Sequence, residues 1–193
     1  MEIRDPERIV FTYGYDDPSK PIPPGASRVT ITLADDPGGT RLHLRHDFPD
    51  SAARDPHVQG WRYQLAVFAN VVAREQHARV AERVDRYFAS WSEPDPETRA
   101  RGLAEIAVED IAFRDAFSCT SGLHDLTEHL AAAQAHMPGV RLKRVGDVRQ
   151  CQGTAMAEWV AEGPAGKTAG SGINVFDLAP DGRLARVVGF WRA

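Results

Sequence analysis

The sequence has little of what usually assigns a protein quickly. Of its 193 residues only two are cysteine, too few for a disulfide framework or a thiolate metal site. A reducing, cytoplasmic setting is therefore expected, with Cys119 and Cys151 as buried or half-buried thiols. No apolar run approaches the roughly 20 residues needed to cross a bilayer; the longest, LAVFANVVA, covers Leu65 to Ala73, so no membrane is expected among its partners. The opening residues, MEIRDPERIV, are charged from the second position and do not read as an export signal. Lys and Arg number 23 against 27 Asp and Glu, a net charge of −4. No basic cluster interleaves with aromatics, so nucleic acid is not an expected partner either. There is no nucleophile elbow, and the glycines of GPAGKTAGSG lie between strand patterns instead of opening a helix, which excludes a phosphate loop. His124, His129 and His136 share one predicted helix, but spacings of five and seven do not bring two of them to one metal ion. No metal and no other cofactor is expected.

What is present falls into two patterns. Up to about residue 50 the chain reads as an antiparallel meander of three strands. Arg8 to Tyr15 turns Ile9, Phe11 and Tyr13 inward, Arg28 to Leu33 does so with Val29, Ile31 and Leu33, and Thr40 to His46 with Leu42 and Leu44. DDPSKPIPPG and DDPGG are the turns. Val58, Trp61, Leu65, Phe68 and Val72 then recur at helical spacing and should lie on that sheet. From about residue 75 an amphipathic helix carries Val80, Val84, Tyr87, Phe88 and Trp91, and Asp95-Pro96 caps and opens a second helix. A third runs from near Gly122 to Met137. Strands are predicted over Val140 to Arg149, Cys151 to Ala161, Ser171 to Leu178 and, after an Asp181-Gly182 turn, Arg183 to Trp191. The expected class is α+β: a small three-stranded antiparallel sheet with a helix over residues 1–74, then helices against a curved antiparallel sheet over 75–193. No proline breaks Trp61 to Trp91, so the two parts share either one long helix or two helices with a kink near Ala73 to His77.

The segment EDIAFRDAFSCTSG holds the sharpest question. Read as a strand, it puts Ile111, Phe113, Asp115 and Phe117 on one face. A carboxylate there would cost several kcal/mol, roughly, if it had no partner, and Asp115→Asn should then stabilise the fold. With a partner in the SCTSG turn it is a structural cap. Either reading is open to the sequence.

Two resemblances can be quoted from these residues. ERIVFTYGY, SRVTITL, GGTRLHLRHDF and HVQGWRYQLAVFANVV resemble the carboxy-terminal half of a START-like, helix-grip domain of the heat-shock-protein ATPase activator homologue branch. The helix and strands that would complete the grip around a ligand are missing from this chain. RVDRYFASWSEPD, EDIAFRDAFSCTSGLHDLTEHL, GTAMAEWV and GINVFDLAPDGRLARVVGFW resemble the SnoaL-like branch of the nuclear transport factor 2 fold over residues 78–193. That resemblance implies a cone of helices on a bent sheet around one apolar pocket. Its members include polyketide cyclases, ketosteroid isomerases, dehydratases and non-catalytic binding proteins. On the ketosteroid isomerase pattern Asp115 stands at the base, Tyr87 at the oxyanion donor, and Asn174 where a carboxyl group is usual. An amide can still donate to an enolate. Phe113, Trp159, Phe176, Trp91 and His124 would line the pocket. The implied ligand is a small hydrophobic molecule, and a homodimer is expected because the incomplete first sheet leaves an edge and an apolar face. Tyr87, Asp115 and Asn174 also have plain structural readings, as a core residue, a turn cap and a strand-to-strand hydrogen bond.

Overall fold

The computed structural model describes residues 1–192. The chain divides into two compact units, Met1–Phe68 and the remainder from Ala69. The first is an antiparallel sheet in sequential order: β1 (Glu2–Arg4), β2 (Arg8–Tyr13), β3 (Ser27–Asp36) and β4 (Gly39–Asp47). The three strands expected from alternation are present, and the terminal Glu2–Arg4 adds a fourth by folding back on Arg8–Val10. Val29, fully buried between Phe11 and His46 in register, marks the inner face. The proline-rich connection closes over Ile22, also fully buried. Gly14 is required there, because a Cβ would stand 2.1 Å from the Pro23 carbonyl oxygen.

Helix α1 (Ser51–Gln76) begins upstream of the predicted stripe, whose first residue is Val58. Asp50 accepts from the Ala53 N–H at 2.8 Å and sets the first turn. The expected apolar stripe is covered only in part. Trp61 and Leu65 are half-buried, while Val58, Phe68 and Val72 are 40 to 52% exposed. The helix stops at Gln76 and α2 (Val80–Ser90) starts four residues on, so of the two arrangements open to the sequence the chain adopts the interrupted one.

The second unit continues with α3 (Pro96–Ile106), β5 (Ala107–Arg114), β6 (Cys119–Ser121), α4 (Leu123–His136), β7 (Arg141–Cys151), β8 (Thr154–Glu162), β9 (Thr168–Leu178) and β10 (Leu184–Trp191). Its six strands lie in the order β6-β5-β10-β9-β8-β7. All pairs are antiparallel except β5 with β10, which places Val187 beside Phe113. Register shifts in β10, in β7 and at the end of β8 bend the sheet. Helix α2 buries Val80, Val84, Tyr87 and Phe88, the face its periodicity predicts. Asp95 accepts from the Thr98 N–H at 2.8 Å with Pro96 opening α3, as expected of that cap. Gln134 on α4 donates to the carbonyls of Trp91 and Glu93, tying the end of α2 to α4.

Two local expectations fail. The small polar run read wholly as a turn contains strand β6, which pairs Cys119 with Arg114. Both cysteines are exposed instead of buried, because each ends a hairpin ladder, Cys119 opposite Arg114 and Cys151 opposite Thr154. The β7–β8 turn falls at Gln152-Gly153, both at positive φ, so Cys151 closes β7 instead of opening β8. No helix among the described residues is long and apolar enough to cross a membrane.

Candidate functional site

The inner face of the bent sheet is built from very small and very large residues in alternation across strands. Trp159 and Trp191 both stand opposite Gly172, and Asn174 lies between Ala157 and Gly189. A Cβ on Gly172 would meet the Phe190 carbonyl oxygen at 2.3 Å and Trp159 Cζ2 at 2.5 Å. The glycine is therefore the space into which the indole folds. Trp159 and Trp191 pack edge to face, ring centroids 4.8 Å apart, and Phe117 meets Trp191 at 5.4 Å.

Above this floor lies a cavity of about 520 Å³ lined by Trp91, Asp115, Phe117, His129, Met137 and Trp191, with Ala132, Ala133 and His136 continuing the α4 wall. Asp115 is held at three points. Its Oδ1 accepts from the backbone N–H groups of Phe117 and Ser118, each at 2.8 Å, and Oδ2 accepts from Trp191 Nε1 at 3.3 Å. Oδ1 thereby uses both lone pairs, while Oδ2 keeps one. Asp115 is only half-buried, and Phe117 is 77% exposed where strand alternation had placed it inward. The strand ends at Arg114, so the two-residue period does not reach either side chain.

His129 occupies an aromatic slot, 5.2 Å from the Phe113 ring and 5.6 Å and perpendicular to Trp91. Burial pushes its pKa below the ordinary histidine value, with the Asp115 charge opposing. Its Nε2 is shut from solvent without a partner, as are Trp91 Nε1 and the Tyr87 hydroxyl. Burial drives the Tyr87 phenol well above its usual range. Trp91 lies near enough to oppose that rise, and the Asp115 charge adds to it. Tyr87 and Trp91 nevertheless make no well-aligned hydrogen bond, since both polar atoms remain unpartnered. Unpaired buried polar groups are unusual, because each costs about 1–3 kcal/mol, and two of these three, Tyr87 and His129, lie within the influence of the Asp115 carboxylate.

Of the residues singled out by sequence, Asp115 and Trp91 line the cavity. Tyr87 is fully buried in the core against Phe88 and Phe176. Asn174 is buried and accepts from Trp159 Nε1 at 2.8 Å, the strand-to-strand hydrogen bond that was its plain reading. Phe113, Trp159 and Phe176 form the layer behind the cavity, and His124 is exposed in a separate groove beside Pro96 and Glu97. Sequence reasoning missed Phe117, His129 and Trp191. One signal was present: His129 and His136 are seven apart, two helical turns, with Ala132 and Ala133 between them on the same face.

The first unit has its own crevice of about 470 Å³, between β2 and α1, lined by Tyr13, Tyr15, His57 and Trp61 among others. Tyr15, His57 and Trp61 are already engaged there. The Tyr15 hydroxyl donates to His57 Nε2 at 3.0 Å, His57 Nδ1 donates to the Ala53 carbonyl, and Trp61 donates to His46 Nδ1. The uncommitted groups are in the cone.

A helix-capped cone on a bent sheet, with one apolar cavity and one fixed carboxylate in its wall, defines a small-molecule-binding fold. A family model described as the SnoaL-like domain matches residues 84–187, more than half of the chain, and the chain belongs to the SnoaL-like family. A model described as Activator of Hsp90 ATPase homolog 1-like protein matches residues 1–73. No curated protein matches the chain. Among solved structures it is similar to a candidate isomerase of the SnoaL-like family from Agrobacterium tumefaciens str. C58, at 26% identity and TM-score 0.56 over 62% of this chain and 99% of that one. It is also similar to a candidate SnoaL-like polyketide cyclase from Jannaschia sp. CCS1, at 14% identity and TM-score 0.50 over 60% and 86%. An NTF2-like protein from Anabaena variabilis ATCC 29413 matches at 15% identity and TM-score 0.51 over 61% and 90%. The last two likenesses concern the fold alone.

Proposed function

We propose that the cone cavity takes a small, largely apolar carbonyl compound and that Asp115 moves a proton at the carbon beside the carbonyl, as a cofactor-free isomerase, cyclase or lyase would. The observation that carries this is the open lone pair of Asp115 Oδ2. A carboxylate fixed by two backbone N–H groups and an indole stands in a largely apolar wall. A base held in place before the substrate arrives needs no reorganisation during the reaction. The similarity to a candidate isomerase at 26% identity supports the same reading. A non-catalytic binding module is the second reading, favoured by the burial of Tyr87 and Asn174, neither of which lines the cavity, so the oxyanion positions expected from sequence supply no donor there.

The test is deuterium exchange beside the carbonyl of cyclic unsaturated ketones in D2O, followed by proton NMR, with tryptophan fluorescence reporting occupancy. Exchange in the native protein that Asp115→Asn abolishes while binding persists supports the enzyme. Binding without exchange leaves the module reading.

A further inference from the structure

We infer that His129 is the hydrogen-bond donor for the carbonyl oxygen of the bound compound, and thus a second catalytic residue beside Asp115; this rests on the carbonyl reading above. Few groups at the cavity can donate a hydrogen bond. Asp115 can only accept when ionised. The Trp191 N–H is given to Asp115, and Asn174, whose NH2 group could donate, is buried and does not line the cavity. Tyr87 Oη and Trp91 Nε1 are shut from solvent. His136 gives Nδ1 to the Ala132 carbonyl at 2.8 Å, and its ring is exposed. His129 lines the cavity; its Nε2 is sealed like Tyr87 Oη and Trp91 Nε1, but its Nδ1 is neither sealed nor hydrogen-bonded among the described residues and is the nitrogen left to donate.

Its surroundings suit the role. Phe113 and Trp91 fix the plane of the ring, so the donor direction is set without a hydrogen bond spent on orientation. Burial favours the neutral imidazole, which carries one N–H and one lone pair. A neutral donor polarises a carbonyl without surrendering its proton outright, and it leaves the Asp115 carboxylate free instead of ion-paired. In the step that follows, Asp115 Oδ2 takes the proton from the carbon beside the carbonyl. The C–H electron pair forms the carbon–carbon double bond, and the carbonyl π pair moves onto oxygen, where the His129 N–H meets the developing charge. Return of the same proton from Asp115 to a different carbon completes an isomerisation with no change in oxidation state.

The occupant this pair selects is a ligand with one acceptor oxygen on a flat apolar body, and an ionised phenol mimics its enolate. Calorimetric titration of 4-methylphenol through 4-nitrophenol, with 4-nitrotoluene as the non-ionising isostere, reads the donor directly. In the native protein, affinity is expected to rise with phenol acidity. His129→Phe, which keeps an aromatic ring in the slot, should bind the toluene normally, lose about ten- to a hundredfold for the acidic phenols, and flatten the series. His129→Gln, which restores an N–H donor, should recover part of the loss. A gradient that survives unchanged in His129→Phe overturns the His129 assignment and leaves the carbonyl reading standing. A native protein that binds phenols no better than 4-nitrotoluene overturns both.

Discussion

Replacing Asp115 by Asn separates two accounts of the same residue that predict opposite signs. A carboxylate stranded between buried phenylalanines would be a burden, and its removal should raise stability. The structure gives it three donors instead. In Asp115→Asn the amide oxygen can keep the Phe117 and Ser118 N–H groups, but a neutral acceptor makes bonds about half as strong as a charged one. The NH2 group then faces the Trp191 N–H, donor against donor, where a 3.3 Å bond had been. Against this, a half-buried carboxylate no longer has to be desolvated, and the Phe117 N–H, beside an exposed side chain, can turn to water. The balance is a loss of about 1 kcal/mol for Asn and about 2 kcal/mol for Ala, which removes both turn acceptors. Urea unfolding at pH 7 measures this as a lower midpoint at unchanged slope. A double-mutant cycle with Trp191→Phe should show coupling, since both changes delete one hydrogen bond. An Asn variant as stable as the native protein or more so would refute the argument and return Asp115 to the status of a tolerated burden.

Tyr87→Phe removes a buried hydroxyl without a hydrogen bond, so it is expected to stabilise the protein by up to about 1 kcal/mol and to leave ligand affinity unchanged in calorimetry; weakened binding would place the hydroxyl in the site after all. Gly172→Ala drives a methyl against the Phe190 carbonyl oxygen and the Trp159 ring and should cost at least about 3 kcal/mol, as overpacking beside an unyielding backbone does, visible as a depressed thermal midpoint. His129 has a folded pKa below its unfolded value, so the unfolded state binds more protons between the two. Stability should fall as pH drops from about 6.5, the ordinary histidine value, towards the folded pKa and then level off, and His129→Gln should reduce that slope; an unchanged slope would assign it to other groups, such as His46 and His77, also lowered by burial. We also propose a homodimer, because Ile9, Leu33, Tyr63, Val67 and Phe68 are exposed on the first unit; light scattering showing a single-chain mass at micromolar concentration would remove that idea.

How far the sequence discloses this molecule depends on whether each feature is periodic. Helix α2 was legible because Val80, Val84, Tyr87 and Phe88 repeat at the helical period and are buried accordingly. Strand β8 was legible for the same reason, since Ala155, Ala157, Trp159 and Ala161 alternate and are buried. Both hairpins with an aspartate-rich turn fell where Gly39 and Gly182, each at positive φ, allow them. Asp115 defeated the same reasoning because it lies one residue beyond the end of β5. Past a strand's last hydrogen bond the chain no longer alternates, and the burial of Asp115 and Phe117 follows the turn instead.

The site was less legible than the fold, and the reason is geometric. Its wall takes Trp91 from the end of α2, Asp115 from a turn, His129 from α4 and Trp191 from the last strand. These residues become neighbours only because β10 inserts between β5 and β9, parallel to the former, a pairing that no local pattern announces. That insertion sets Gly189 between Asn174 and Asp115, where a Cβ would lie 3.2 Å from the amide oxygen and 3.3 Å from the aspartate Cβ. It also brings the Trp191 N–H to Asp115 and the Trp191 ring to Trp159. A residue's chemistry can be read from its letter, and its periodicity from its neighbours, but whether a hydroxyl or an imidazole reaches a cavity depends on strand order. Tyr87, on a helix face that periodicity marked as apolar, ends in the core, whereas His129, one helical turn beyond Asp125 and next to Glu128, ends in the cavity wall. Reach into the cavity, more than residue type, therefore marks the candidate site in this fold.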